Sequence, residues 1–197
     1  MKLVYSGAES NIYRDKGKII KYRIKKHYRI KEIDDKLRYS RTKLEFNLLK
    51  KAYENRINVP QPIKISKDKT KIIMSYLGDK TLKSHFSIKY IYKVGEITAK
   101  MHNLGIIHGD LTTANMIIRG GDIFIIDFGL GFFSQKSEDK ATDIFLFKNA
   151  LKARHTKYYK EAYKQFINGY KRYSNSPDEV ISRLKEIEER RRYIKQS

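Results

Sequence analysis

The chain contains no cysteine, which excludes disulfide staples and thiolate metal centres. Its five histidines are scattered without the spacing of a ligand set. No apolar run approaches the ~20 residues that a membrane-spanning helix needs, and the amino terminus lacks the apolar region of a signal peptide. These absences predict a cytoplasmic protein with no membrane partner. Repeats and low-complexity linkers are missing too. Only three prolines occur, so each break they impose is informative. Acidic residues are scarce, 22 Asp and Glu against 43 Lys and Arg, leaving a formal charge of +21.

What is present suits one compact domain or two small lobes: 197 residues, of which 40% are hydrophobic, enough to build a core. The positive charge is concentrated. Residues 16 to 51 hold 14 Lys and Arg against four acids, a surplus of ten. Such a field attracts polyanions and makes their binding salt-dependent. Tyr22, Tyr28 and Tyr39 interleave with it and are candidates for stacking on bases. A solvated, lysine-rich face is the simpler reading of the charge by itself.

The chemistry concentrates in His108-Gly109-Asp110-Leu111-Thr112-Thr113-Ala114-Asn115 and, after a short strand-like stretch, Asp127-Phe128-Gly129. Asn115 stands five positions after Asp110, the spacing of a protein-kinase catalytic loop whose Asp accepts a proton and whose Asn holds magnesium. Asp127 follows twelve residues later, room for one hairpin, and would be the second magnesium ligand. Phosphoryl transfer demands alignment and charge neutralisation, not a covalent protein nucleophile, and magnesium prefers hard oxygen ligands. Either motif alone has a plain structural reading, a turn or a core histidine. Together, in order and at this spacing, they predict an ATP site with magnesium held by Asn115 and Asp127 and with Asp110 as base.

Such a site needs a lysine on an upstream strand and a glutamate on the following helix to orient it. Lys18-Ile19-Ile20-Lys21-Tyr22-Arg23 is strand-like, and Lys21 follows the apolar pair. Apolar residues at 44, 48 and 49 put Glu45 on a helix as its partner. The glycine-rich loop of ordinary kinases is missing; only Gly7 remains, in Ser6-Gly7-Ala8-Glu9, so Gly7, Ala8 and Glu9 are the expected phosphate cover. Gly78-Asp79-Lys80-Thr81 lacks the upstream glycine and spacing of a Walker loop.

Val59-Pro60-Gln61-Pro62 breaks the chain before a pair of strands near 63 to 66 and 71 to 76. Ser75-Tyr76-Leu77-Gly78 is the expected hinge, with Ser75 and Leu77 against adenine and Met74 lining the pocket. The prediction is an α+β fold: an antiparallel-sheet lobe with one helix over 1–77, then a mainly helical lobe over 78–197. In the second lobe Ile91, Val94, Thr98 and Met101 share a helical face. Ser137 is the expected cap of a helix buried through Ile144, Phe147 and Leu151, and Asp143 of that helix is placed to steady the catalytic loop. Tyr159, Ala162, Tyr163, Phe166, Ile167 and Tyr170 form a further stripe, read as core. Ser176-Pro177-Asp178-Glu179 opens a last helix with a capping-box pattern, whose Val180, Leu184 and Ile187 make an apolar edge. Arg190-Arg191-Arg192 near its end either complements the helix dipole or forms a functional basic tail.

The joined pattern of Ser6-Gly7-Ala8-Glu9, Ile20-Lys21-Tyr22-Arg23 with Tyr28-Arg29, Arg41 and Glu45, His108 to Asn115, Asp127-Phe128-Gly129-Leu130 and Glu138-Asp139-Lys140-Ala141 resembles the small atypical kinase of the KEOPS complex, a family similar to the RIO kinases in having a reduced bilobal kinase fold. The resemblance covers nearly the whole chain. It implies an ATP- and magnesium-dependent serine/threonine kinase or ATPase that serves threonylcarbamoyl modification of tRNA adenosine. The implied partners are the other KEOPS subunits, above all the threonylcarbamoyl-transferase subunit, and tRNA. Two departures from ordinary protein kinases matter: Gly109 stands where they carry arginine, removing the receptor for a phosphorylated activation loop, and no Ala-Pro-Glu follows Asp-Phe-Gly. The expectation is an enzyme not switched on by activation-loop phosphorylation. A small-molecule kinase of the aminoglycoside or sugar type, which also uses His-Gly-Asp, and a noncatalytic tRNA-binding scaffold are the alternatives.

Overall fold

In the computed structural model, which describes residues 1–194 and side chains through residue 191, the chain divides into two compact units. The first is Met1–Leu77 and the second begins at Gly78.

The first unit is a five-stranded antiparallel sheet and one long helix. Strands β1 (Lys2–Ser6), β2 (Ser10–Asp15), β3 (Lys18–Arg23), β4 (Pro62–Ile65) and β5 (Lys71–Ser75) lie in the order β1-β2-β3-β5-β4. Lys16 and Gly17 join β2 to β3, both with positive φ (41° and 76°), the handedness that fits a two-residue turn to the twist of its strands. Helix α1 (Lys31–Glu54) buries Leu48, Leu49 and Ala52 and packs on β4 and β5. It stops without glycine: Arg56 takes the left-handed conformation (φ 59°) and the Ile57 N–H returns to the Ala52 carbonyl, a Schellman-type closure.

The second unit holds α2 (Ile91–Asn103), the short strands β6 (Ile106–Ile107), β7 (Met116–Arg119), β8 (Asp122–Ile125) and β9 (Phe132–Phe133), then α3 (Ser137–Arg154), α4 (Tyr159–Tyr173) and α5 (Pro177–Ile194). Strands β7 and β8 form the single hairpin for which the sequence leaves room, turning through Gly120 and Gly121; β6 pairs with β9. The expected helical stripes face the core, although Tyr159, Tyr163 and Ile167 of the α4 stripe are only half-buried. Ile91, Val94, Thr98 and Met101 of α2 are buried, as are Ile144, Phe147 and Leu151 of α3 and Ala162, Phe166 and Tyr170 of α4. The α3 and α4 rings meet where Phe147 and Phe166 lie 4.5 Å apart.

Two local readings are corrected. Ser137 is the first residue of α3 and not its cap, a place taken by Lys136; its hydroxyl donates instead to Glu179 Oε1 at 2.5 Å. Glu179 is thereby engaged across helices, where the capping-box pattern assigned it to its own helix start. Arg190 and Arg191 do not merely decorate a helix end: Arg190 Nη2 is 2.6 Å from Glu138 Oε1, and the Arg191 guanidinium lies over the Phe145 ring at 4.7 Å. Both tie α5 to α3. The Arg192 side chain lies outside the described residues.

Helices α2 and α4 approach so closely that each needs a glycine at the crossing. A Cβ on Gly95 would sit 2.1 Å from the Phe166 carbonyl oxygen, and one on Gly169 would sit 2.1 Å from that of Tyr92. Both obstacles are backbone, so the helices themselves would have to part. Gly169→Ala is expected to lower stability by about 3 kcal/mol, read as a reduced urea midpoint; an unchanged midpoint would show that the crossing relaxes freely.

Candidate active site

The residues expected to act chemically fall into two groups, one in each unit. In the first, Lys21 and Glu45 are 5% and 3% exposed, and Lys21 Nζ donates to Glu45 Oε1 at 2.6 Å. Lys21 sits on β3 and Glu45 in the middle of α1, so the pairing crosses from sheet to helix. The turn Gly7-Ala8-Glu9 links β1 to β2 and is closed by the Gly7 N–H on the Ser10 carbonyl at 3.0 Å. It is held by cations in place of glycines: Lys26 Nζ donates to the Ala8 carbonyl, and Arg41 Nη1 is 3.4 Å from Glu9 Oε2. Met74 is buried on β5. Ser75 spends its N–H on the Gln61 carbonyl and its hydroxyl oxygen on the Gln61 N–H, while the Tyr76 N–H goes to the Gly17 carbonyl. Leu77 is the last residue of the unit.

In the second unit, Asp110 and Asp127 are exposed and Asn115 is half-buried, whereas the scaffold beneath them is closed. The Asn115 amide nitrogen donates to the Asp110 carbonyl and to Asp110 Oδ2, both at 2.9 Å. That use of the nitrogen leaves the amide oxygen as the group Asn115 presents to a cation. His108, fully buried, pins this loop to the next motif. Its Nδ1 accepts from the Asp110 N–H at 3.2 Å, and Nε2 donates to the Ile126 carbonyl at 3.0 Å. Asp127 follows with φ 65°, a strained conformation for a non-glycine residue. The buried Phe128 beside it and the Gly129 N–H, which reaches Asp127 Oδ1 at 3.1 Å, hold it there.

Asp143 on α3 carries the loop. Its Oδ2 accepts the His108 N–H at 2.7 Å and its Oδ1 the Gly109 N–H at 2.9 Å. Oδ2 also lies 3.2 Å from His102 Nε2, and His102 Nδ1 is 2.9 Å from the Tyr170 hydroxyl. With the imidazole proton on Nε2, His102 donates to Asp143 and accepts from Tyr170. Burial alone would raise the Asp143 carboxyl, but interactions with His102 and His108 outweigh it and hold the group below its ordinary value. Burial raises Tyr170, keeping its hydroxyl protonated and able to donate. Gly109 can be nothing larger. Its φ is 78°, and a Cβ there would sit 2.3 Å from the Leu130 carbonyl oxygen, so an arginine in its place is excluded by the backbone.

Of the residues singled out in the sequence, the structure pairs Lys21 with Glu45 and Asp110 with Asn115, and places Asp143 against the loop N–H groups of His108 and Gly109. Sequence reasoning missed Arg23, whose Nη2 reaches Glu45 Oε2 at 2.5 Å; its position two residues after Lys21, hence on the same strand face, was the available signal. It also missed His102 and His155. His155, at the end of α3, stacks on Phe86 at 3.8 Å and places Nε2 3.0 Å from the Thr113 hydroxyl inside the catalytic loop. Nothing in the sequence marks either histidine, because their partners are 41 and 42 positions away.

This architecture defines a RIO-type kinase fold, and the RIO domain model matches residues 2–146. The KEOPS complex subunit Bud32 of Pyrococcus abyssi is 37% identical over 216 residues, covering 100% of this chain and 98% of that protein. A probable bifunctional tRNA threonylcarbamoyladenosine biosynthesis protein of Methanobrevibacter smithii is 40% identical over 196 residues, covering 97% of this chain; the chain spans only 36% of that relative's length. The Rio2 kinase of Chaetomium thermophilum, solved as an ADP/Mg2+-phosphoaspartate complex, superposes with a TM-score of 0.66 at 20% identity, over 98% of this chain and 72% of that one. The chain belongs to the RIO domain family and, within it, to the group of the KEOPS subunit Bud32.

Replacing Asp143 by Asn removes an acceptor from beneath two loop N–H groups and should cost about 3 kcal/mol, measured by urea unfolding. Because the folded-state value of Asp143 is depressed, its stabilisation is complete above the unfolded value near 3.8 and is lost as pH falls through the folded value. Wild-type stability should therefore drop steeply below about pH 4, and Asp143→Asn should flatten that acid limb. Equal acid limbs would mean that other carboxylates carry the transition.

Proposed function

We propose that the chain is a magnesium- and ATP-dependent atypical serine/threonine kinase or ATPase that works as a KEOPS subunit in tRNA threonylcarbamoyladenosine modification. The observation that carries this reading is the Asp110–Asn115 hydrogen-bonded pair, held over the buried Asp143 carboxylate and joined through His108 to the strained Asp127. A fold that strains one exposed aspartate and hydrogen-bonds another to a half-buried amide, above a buried polar scaffold, is built for chemistry more than for stability. The unit boundary after Leu77 is taken as the boundary between the two kinase lobes.

The residues fit the cofactors. Asp127 and the Asn115 amide oxygen are hard donors suited to magnesium, which keeps several ligand positions for water and phosphate. Among the described residues no group of three His, Cys, Asp or Glu forms a separate metal cage. Magnesium, when bound, supplies charge neutralisation on the phosphates. Lys21, oriented by Glu45, holds the α- and β-phosphates; Gly7, Ala8 and Glu9 cover them. Met74, Ser75 and Leu77 receive adenine, and since Ser75 and Tyr76 have spent their N–H groups inside the sheet, Leu77 is the donor assigned to the base. Asp110, fixed by Asn115, takes the proton from the attacking hydroxyl or orients a water. With water as acceptor the same site is an ATPase.

The family supports the cellular role. In the bifunctional relatives a segment like this chain occupies about a third of a longer protein, which supports a partner that is there part of the same polypeptide. Assignment of the threonylcarbamoyl-transferase subunit and of tRNA as partners rests on this kinship and on the basic surface. Of the three interleaved tyrosines, Tyr28 is 78% exposed; Tyr39 is already bonded to Lys69 and Tyr22 lies under Lys71.

ADP release from magnesium-ATP tests the reading. Asp127→Ala should abolish turnover with the fold intact. Asp110→Ala should lower it by on the order of 100-fold or more while still binding nucleotide, and Lys21→Ala should weaken nucleotide affinity. Stimulation by tRNA would favour the modification role over a small-molecule kinase. Turnover that survives Asp127→Ala would remove the site assignment, and nucleotide binding without turnover in the presence of partner and tRNA would leave a scaffold.

A further inference from the structure

Glu45 is shared by two cations. Lys21 Nζ lies 2.6 Å from Oε1 and Arg23 Nη2 lies 2.5 Å from Oε2. Arg23 is as buried as its neighbours, 4% exposed. Lys21 and Arg23 stand two residues apart on β3, so both side chains leave the same face of the strand and close on one carboxylate from α1. A buried carboxylate is stable only when its oxygens are answered, and Arg23 answers the oxygen that Lys21 does not hold.

Between Lys31 and Asn47 no apolar side chain is fully buried: Leu37, Leu44 and Phe46 are half-buried, and Tyr39 and Arg41 reach Lys69 and Glu9 at two turns of the sheet. From Lys31 to Asn47 the buried residues are Asp34, Thr42 and Glu45, all polar; the buried apolar residues of the helix, Leu48, Leu49 and Ala52, come later. Thr42 spends its hydroxyl on its own helix, at the Arg38 carbonyl. Asp34 is bonded to Arg38 and to the Lys26 N–H and lies 3.7 Å from Arg29, ties to its own helix and to the segment leading into it. The ion pairs of Glu45 join the helix directly to β3 at the position that matters. Arg23 makes them at a cost: its Nε is buried without a hydrogen-bond partner among the described residues.

We propose that Arg23 is a positioning residue that locks α1 to β3, so that Glu45 stays paired with Lys21 whether or not nucleotide is bound. Helix α1 is then not a movable regulatory element. This agrees with Gly109, whose backbone leaves no room for the arginine that would sense a phosphorylated loop. Control of the site must act elsewhere than on the Lys21–Glu45 pair. The catalytic consequence rests on the nucleotide-binding role proposed above for Lys21; the mechanical lock does not.

Because the chain has no cysteine, paired spin labels can be placed cleanly at Asn47→Cys on α1 and Lys18→Cys on β3, both exposed positions. Pulsed-EPR distances should give one narrow distribution in the otherwise wild-type protein, unchanged by magnesium-ATP. Arg23→Met should broaden it or add a second population, and should weaken binding of an ATP analogue at least about tenfold. If Arg23→Met does not fold, Arg23→Lys carries the comparison, because a single ammonium on a shorter reach does not reproduce the guanidinium fork. Two populations in the wild-type background, or a shift on adding magnesium-ATP, overturns the proposal. So does an Arg23 variant whose distribution matches that of the wild type. Broadening in Arg23→Met from a protein that neither binds nor hydrolyses ATP would keep the lock and remove the proposed function.

Discussion

One buried carboxylate organises the second unit. Asp143 is fully enclosed, yet both of its oxygens face backbone N–H groups of the His108–Asn115 loop, and a histidine–tyrosine pair supports it from behind. A charge in that position is tolerable only because it is thoroughly hydrogen-bonded, and those bonds prescribe the path of His108 and Gly109. From there the constraint spreads. His108 is directed at Ile126, Ile126 precedes the strained Asp127, and Gly109 turns through a conformation that only a residue without a side chain can occupy beside Leu130. The same helix ends at His155, which meets Thr113, so α3 holds the loop near both its beginning and its end.

The first unit solves a different problem with the same means. The turn between β1 and β2 has one glycine, and Lys26 and Arg41 secure the chain there. The unit's buried Lys21 is paired with a glutamate that Arg23 also grips. Part of the large positive surplus is thus internal structure: Lys21 and Arg23 are core residues, and Lys69 and Lys71 lie against tyrosine rings. Only the remainder is open to a polyanion. A count of basic residues over this stretch overstates the surface available to RNA for that reason.

The carboxy-terminal helix is likewise structural before it is anything else. Glu179 takes the Ser137 hydroxyl, Arg183 and Arg190 converge on Glu138, Lys148 reaches Glu188 at 2.6 Å, and Arg191 covers Phe145. All of these contacts land on α3, four residues of which separate Ser137–Glu138 from Asp143. The basic helix end therefore bears on the element that holds the His108–Asn115 loop, through packing and not through a dipole alone.

The sequence determined which elements carry the candidate site and which of its residues can meet, because those are local facts. Spacing within a loop put Asn115 beside Asp110; one hairpin's length separated them from Asp127; strand and helix periodicity placed Lys21 and Glu45 on elements that can face each other. Local pattern also sufficed for the order of sheet and helices. Tertiary structure decided what depends on residues far apart in the chain: that Glu45 has a second cation in Arg23, that His102 and Tyr170 stand behind Asp143, that His155 touches Thr113, and that Gly95 and Gly169 must be bare for α2 and α4 to cross. It also redirected Ser137 and Glu179, whose capping pattern competed with an available partner on another helix and yielded to it. Such choices are made among alternatives of nearly equal local energy, so the packing of whole helices, and not the residues' own preferences, settles them.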